Sequence, residues 1–154
     1  MVKKYMTFVL FSLVLSSAGL ARSPSDEAAA RKPVESFYTA FNQNFSGAAS
    51  FATEDWAHIN PFGGWARGRE NVLAEVRDVH SKFLKDVSET VEQMEVRFAS
   101  QDVAIVTVIS KSSPYTTPDG VKHENERHIR TFVVVKRGPQ WLVMQDQSTT
   151  VRAG

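Results

Sequence analysis

The chain contains no cysteine in its 154 residues. That absence excludes disulfide staples, thiolate-bound metal, iron–sulfur clusters and lipid attachment through an N-terminal cysteine. Stability has to come from an apolar core alone. An excess of charge of one sign is missing as well, since 18 Lys and Arg stand against 17 Asp and Glu, a formal net charge of +1. Nucleic-acid binding wants clustered cations on a positive domain, so this balance argues against that class of partner. No Gly-x-Gly-x-x-Gly follows a strand pattern, which removes the usual dinucleotide cradle. The 4 histidines are scattered and never share one helical face, so neither a metal nor a cofactor is expected. No Ser-His-Asp or Cys-His spacing points to nucleophilic catalysis.

Long hydrophobic runs are also lacking. The apolar stretch Met6 to Leu15 falls short of the ~20 residues that a membrane-spanning helix requires. Lys3 and Lys4 precede it, and the small residues "SSAGLA" follow, the order of a secretory signal peptide. Residues 1–21 are expected to be that signal, cleaved after Ala21 or else after Ala18. A retained N-terminal anchor is the alternative. Its removal takes two positive charges and no acid from a chain of formal charge +1, leaving −1. The mature protein is then expected to be exported, periplasmic or secreted, with no membrane association. Residues 22–154 are enough for one domain with a real core and too few for two.

Within that domain, Ser25 or Asp26 can cap a helix whose apolar face is Val34, Phe37, Tyr38, Phe41 and Phe45, with Pro33 early in the pattern. A short second helix is expected from Phe45 to Phe51. "DWAHINP" reads as a short strand, and a glycine corner at Gly63, Gly64 and Gly68 leads into a third helix marked by Val72, Leu73, Val76, Val79 and Phe83. After that everything alternates: Met94, Val96 and Phe98 on one strand, then "DVAIVTVIS", "NERHIRTFVVVKRG" and "QWLVMQDQSTTV". Asp119-Gly120 and "RGPQ" supply turns. Helices followed by an antiparallel meander indicate α+β: a cone-shaped, curved antiparallel sheet packed on three N-terminal helices, with an interior that is either filled or open to a ligand.

Four segments together carry a resemblance: "VESFYTAFN", "FATEDWAHINPFGGWARGRENVLAEV", "PDG" in the long hairpin and "RTFVVVKRGPQWLVMQDQST". Over residues 26–151 the chain resembles the nuclear transport factor 2-like superfamily, and within it the SnoaL-like proteins of the SgcJ/EcaC type. The resemblance implies a site inside the cone. It does not fix a chemistry, because isomerases, dehydratases, epoxide hydrolases, polyketide cyclases and pure binding or assembly domains share this scaffold.

The candidate ligand-binding residues are Trp56, His58, Asn60, Trp65, His128 and Asp146. Trp56, His58 and Asn60 alternate onto one strand face, which either lines the cone or faces solvent. Trp65 closes the glycine corner, and indole at such a corner either packs or stacks on a ligand. Glu126, His128 and Arg130 share a face that is expected to be solvated or to face another subunit, with Ile129, Thr131, Val133 and Val135 better suited to the core. In the sharper alternative, His128 sits at the mouth with Glu126 tuning it for acid–base work. His123 and His128, five residues apart, are expected on opposite faces. Asp146 follows Leu142 and Met144 on one face, where a desolvated carboxylate could abstract a proton beside a carbonyl; Trp141, Val143, Gln145 and Gln147 form the other face, and either can point inward. The leading expectation is an exported protein that binds a small, largely apolar molecule. A cofactor-independent isomerase, dehydratase or hydrolase using a pocket His or Asp is the second reading, and a homodimeric assembly module with a filled cavity the third. A homodimer is expected in each case.

Overall fold

The computed structural model describes residues 23–151. The expected signal segment, residues 1–21, lies outside the described residues. Helix α1 spans Pro24–Phe41 and is capped by Ser23, whose Oγ accepts from the Asp26 backbone N–H. The cap is thus two or three residues earlier than expected, because Pro24 fits the first helical position, where no N–H is needed. Pro33 lies inside the helix and is buried. The chain then runs through β1 (Ala52–Ile59), β2 (Trp65–Arg67), α2 (Arg69–His80), β3 (Glu89–Phe98), β4 (Val103–Ser112), the short β5 (Tyr115–Thr116) and β6 (Lys122–His123), β7 (Arg127–Arg137) and β8 (Gln140–Thr150).

The α+β expectation holds, with two corrections. The helix foreseen from Phe45 to Phe51 is irregular chain, so two helices rather than three are found among the described residues. Its cause is local: Asn44 and Phe45 both adopt positive φ, 54° and 50°, which ends helical geometry. The sheet is also mixed rather than wholly antiparallel. Its order is β2-β1-β8-β7-β4-β3, and β1 runs parallel to β8 while the other neighbours are antiparallel. The foreseen meander is β3, β4, β7 and β8, with the small β5–β6 hairpin inserted between β4 and β7.

One face of this sheet packs on the helices. Phe37 of α1 stands at the centre, edge-on to Phe45, Phe51, Trp56 and Phe132 at centroid distances of 5.1–6.3 Å. Each such pair contributes ~0.5–1.5 kcal/mol beyond simple burial. From the sheet, Ala104, Val106 and Val108 of β4 and Phe132 and Val134 of β7 are fully buried beneath them. The inward face of β7 is therefore His128, Arg130, Phe132 and Val134, while Ile129 and Thr131 face outward. That reverses the expectation that the charged triplet would be surface. The reason is that the interior contains two carboxylates, Asp146 and Glu89, that meet the Arg130 cation.

A register shift completes the arrangement. Val134 pairs with Val143 but Val133 pairs with Gln145, so Met144 is an extra residue, a β-bulge. One inserted residue exchanges the two faces of a strand. Trp141 and Val143 point inward before it, and Asp146 and Ser148 point inward after it.

Candidate active site

The corner that follows β1 is built by Asn60. Its Oδ1 accepts from the backbone N–H of Phe62 at 3.0 Å and of Gly64 at 2.9 Å, and its Nδ2 donates to Glu75 of α2 at 3.2 Å. A Cβ on Gly64 would stand 2.2 Å from that Nδ2, so glycine is needed there for close approach rather than for flexibility. The corner ties β1 to α2 and leaves a cavity of about 110 Å³ between α2, the turns after it and the inner sheet face. Val76, Val79, Phe83 and Leu84 form its apolar side, with Phe41 and Phe45 at its base. The sheet side supplies His58, Glu89, His128, Arg130 and Ser148. Pro61 and Phe62 stand exposed at the rim, so the cavity reaches solvent there.

Behind His58 lies a buried, hydrogen-bonded carboxylate. Asp146 is fully buried. Its Oδ1 accepts from Trp56 Nε1 at 2.8 Å, and its Oδ2 accepts from Arg130 Nη1 at 2.8 Å and lies 2.9 Å from His58 Nδ1. The alignment follows from sheet register, because His58 pairs with Asp146 across β1–β8 and Asp146 pairs with Phe132 across β8–β7. Burial alone would raise the Asp146 carboxyl, but His58, Arg130 and Trp56 outweigh it and hold it below the usual carboxylate range. An ionised Asp146 accepts and does not donate, so His58 Nδ1 carries the proton between them. The other ring nitrogen, Nε2, is then left to the cavity that His58 lines. Arg130 also approaches Glu89, with Nη2 3.7 Å from Oε1, and Glu89 accepts from Ser110 Oγ at 2.6 Å. The guanidinium lies over Phe37, 4.8 Å from the ring centroid.

A second cluster gathers around Glu126, next to the cavity-lining Tyr115 and His128. Glu126 accepts from the Tyr115 hydroxyl, lies 3.1 Å from His123 Nδ1 and has its Oε2 3.4 Å from His128 Nε2. His123 and His128 are thus brought to one carboxylate instead of being held apart, because the strand breaks at Asn125, whose φ is 58°. Burial works to raise the Glu126 carboxyl, but the Tyr115 and His123 hydrogen bonds win and hold it down. Burial lowers the His128 imidazole, against the pull of Glu89 and Glu126.

Of the six residues singled out in the sequence, His58, His128 and Asn60 line the cavity, the last mainly as a turn former. Trp56 and Asp146 sit directly behind His58 as its support. Trp65 is 59% exposed on the edge strand, with Arg67 stacked over its ring at 4.0 Å, and takes no part in the cavity. Glu89 and Ser148 were not singled out in the sequence, and Arg130, expected on a solvated or subunit-facing surface, is buried at the cavity. The available signal was Arg130 in alternation with Phe132 and Val134, a cation in phase with core residues. Among the described residues, no group of three or more His, Asp or Glu side chains is arranged to hold a metal ion.

With the geometry in place, comparison with known proteins defines the class. No family model matches the chain, and no curated protein matches it. Solved structures do. An uncharacterised protein with a cystatin-like fold from Caulobacter vibrioides superposes with a TM-score of 0.78 at 22% identity, over 83% of this chain and 91% of its own. A ketosteroid isomerase-like protein from Erwinia carotovora atroseptica gives 0.69 at 18% identity, over 85% of this chain and 100% of its own. An NTF2-like protein with a cystatin-like fold from Novosphingobium aromaticivorans gives 0.68 at 14%, over 84% of each. The protein has the nuclear transport factor 2-like, cystatin-like α+β fold. At these identities the likeness speaks for the fold alone.

Proposed function

We propose that the protein is a cofactor-independent enzyme that moves a proton on a small, largely apolar molecule, in the manner of an isomerase or dehydratase. The observation that carries this is the His58–Asp146 pair at 2.9 Å, set in the wall of an apolar cavity. His58 Nε2 is the base, taking a proton from carbon beside an electron-withdrawing group. Asp146 fixes the imidazole tautomer and stabilises the imidazolium that forms. Trp56 and Arg130 hold Asp146 still, so the carboxylate does not have to reorganise during the step. A buried guanidinium and two buried carboxylates are costly to fold, and such groups concentrate where chemistry uses them. The ketosteroid isomerase-like neighbour is compatible with this reading.

The test does not require the substrate's name. A panel of small carbonyl compounds is incubated with the protein in D2O, and deuterium on carbon is read by mass spectrometry. Incorporation is expected with the native protein and is expected to be lost in His58→Gln. Uptake by no compound in the panel, with thermal shifts from several, would leave a binding protein in its place.

Three further readings belong to the same proposal. Membership of the SnoaL-like, SgcJ/EcaC-type group is supported by the strand, glycine corner and helix order from Asp55 to Val76. Export is supported by Lys3, Lys4 and the apolar run after them, and N-terminal sequencing of protein recovered outside the cytoplasm tests it. A homodimer through the outer sheet face is supported by the cross-strand pairs Ile105–Val133 and Ile109–Ile129, and sedimentation equilibrium tests that.

A further inference from the structure

Three buried polar groups on the sheet side of the cavity have no hydrogen-bond partner: His128 Nδ1, Arg130 Nε and Ser148 Oγ. Their residues are 5%, 4% and 3% exposed, and all three line the cavity. They are also adjacent. Arg130 pairs directly with Ser148 across β7–β8, and His128 is the next inward residue along β7. Buried polar atoms are nearly always satisfied, and leaving one bare destabilises the fold. Three together, on one wall of one cavity, describe a place where something polar sits.

We propose that this trio is a subsite for a neutral oxygen, a hydroxyl or carbonyl, on the molecule that occupies the cavity. It rests on the cavity being where the substrate of the proposed proton transfer binds. The chemistry of the three atoms narrows the choice. Arg130 Nε–H can only donate. Glu126, held ionised, faces His128 Nε2 and favours the proton there, leaving Nδ1 as an acceptor. Ser148 Oγ serves either way. A hydroxyl satisfies donor and acceptor together, and a carbonyl takes the two donors. A carboxylate fits poorly, because Arg130 is already shared between Asp146 at 2.8 Å and Glu89 at 3.7 Å. A third anion would enter a buried site whose one guanidinium is already committed. A pure hydrocarbon would seal all three atoms away from water without a partner.

Placement agrees with this choice. Ser148 is two residues beyond Asp146 on β8, and Asp146 lies beside His58 across β1–β8. A ring seated on Val76, Val79 and Phe83 presents one edge to His58 and its oxygen to the trio. The oxygen is then the group whose electron demand acidifies the neighbouring carbon, and Arg130 Nε–H faces the charge that develops on it.

The test uses four probes of one size: toluene, benzyl alcohol, acetophenone and benzoate. Affinities come from amide chemical-shift titrations of the native protein. Benzyl alcohol and acetophenone are expected to bind about tenfold more tightly than toluene, and benzoate more weakly than acetophenone. Ser148→Ala is expected to lower affinity for benzyl alcohol several-fold and to leave toluene unchanged. Equal binding of toluene and benzyl alcohol, a preference for benzoate, or no binding by any probe overturns the subsite, and none of these readings needs a variant to fold. The same series run on His58→Gln separates the two proposals. Oxygen preference that survives in His58→Gln while deuterium uptake is lost keeps both the subsite and the base. Preference that survives with uptake unchanged keeps the subsite and removes the base. Preference absent from the native protein, with uptake present there and lost in the variant, removes the subsite and keeps the base.

Discussion

Val143 and Asp146 lie three residues apart on one strand, and both are fully buried in the same interior. Strict alternation would put them on opposite faces. The bulge at Met144 is what lets an apolar core and a buried carboxylate share one strand, the first half of β8 serving packing and the second half serving the cavity.

Asp146 should be the least replaceable polar residue in the protein. Asp146→Asn keeps the shape but leaves Arg130 and His58 facing a neutral amide, whose NH2 is a donor where acceptors are required. Removing one partner of a buried charge pair costs roughly 3–5 kcal/mol. Urea titration of native and variant protein at neutral pH is expected to show a loss of that size. A shift under ~1 kcal/mol would show that solvent already shares the site.

Acid should weaken the fold through a buried histidine. His80 packs edge-on to Phe41 and Phe45 at 4.5 and 5.2 Å, and burial lowers its pKa from the ordinary 6.5 to about 4. The unfolded chain therefore takes up a proton near pH 6.5 that the folded chain refuses until about pH 4. This contribution to stability is complete above pH 6.5 and is lost as the pH falls through that window. His128, also lowered, adds in the same direction. Denaturant midpoints measured from pH 7 to pH 4 should fall, and His80→Leu should fall less steeply.

Two glycines make a matched pair. Gly64→Ala drives a Cβ to 2.2 Å from Asn60 Nδ2, whereas Gly47 has nothing within 4 Å of the same atom. The first substitution is expected to cost ~1–3 kcal/mol by opening the turn that joins β1 to α2. The second should stay within ~0.5 kcal/mol. Thermal melts of both variants decide it, and equal melts would show that Asn60 yields freely.

Trp65→Ala should be nearly silent. The indole is 59% exposed and its one specific contact is the Arg67 guanidinium over its ring. Exposed cation–π contacts contribute ~0.5–1 kcal/mol. Benzyl alcohol affinity should be unchanged, and a loss of binding would bring this residue back to the cavity.

The sequence carried the architecture further than the site. Period-two alternation in "DVAIVTVIS" and helical spacing at Phe37, Phe41, Val72 and Val76 report local geometry, and local geometry sufficed for the α+β layout. It failed at Phe45 to Phe51, where apolar spacing persisted but Asn44 and Phe45 turned left-handed. The site demanded knowledge of partners distant in sequence. Arg130 looked like surface because its mates, Asp146 and Glu89, are 16 and 41 positions away and neither is a neighbour in any local pattern. His58 and Asp146 were both picked out, yet nothing local could place them 2.9 Å apart, because a parallel strand pairing and a one-residue bulge bring them together.

The parallel pairing of β1 with β8 has a consequence for assembly. His58 and Asp146 are 88 positions apart. Apart from the three-residue β2, the strand that holds the histidine has no neighbour until the one that holds the aspartate docks beside it. Contacts that close so long a loop form late. On the ribosome, the His58–Asp146 pair is therefore absent through most of synthesis and appears in a single closing event, together with the sheet's own completion.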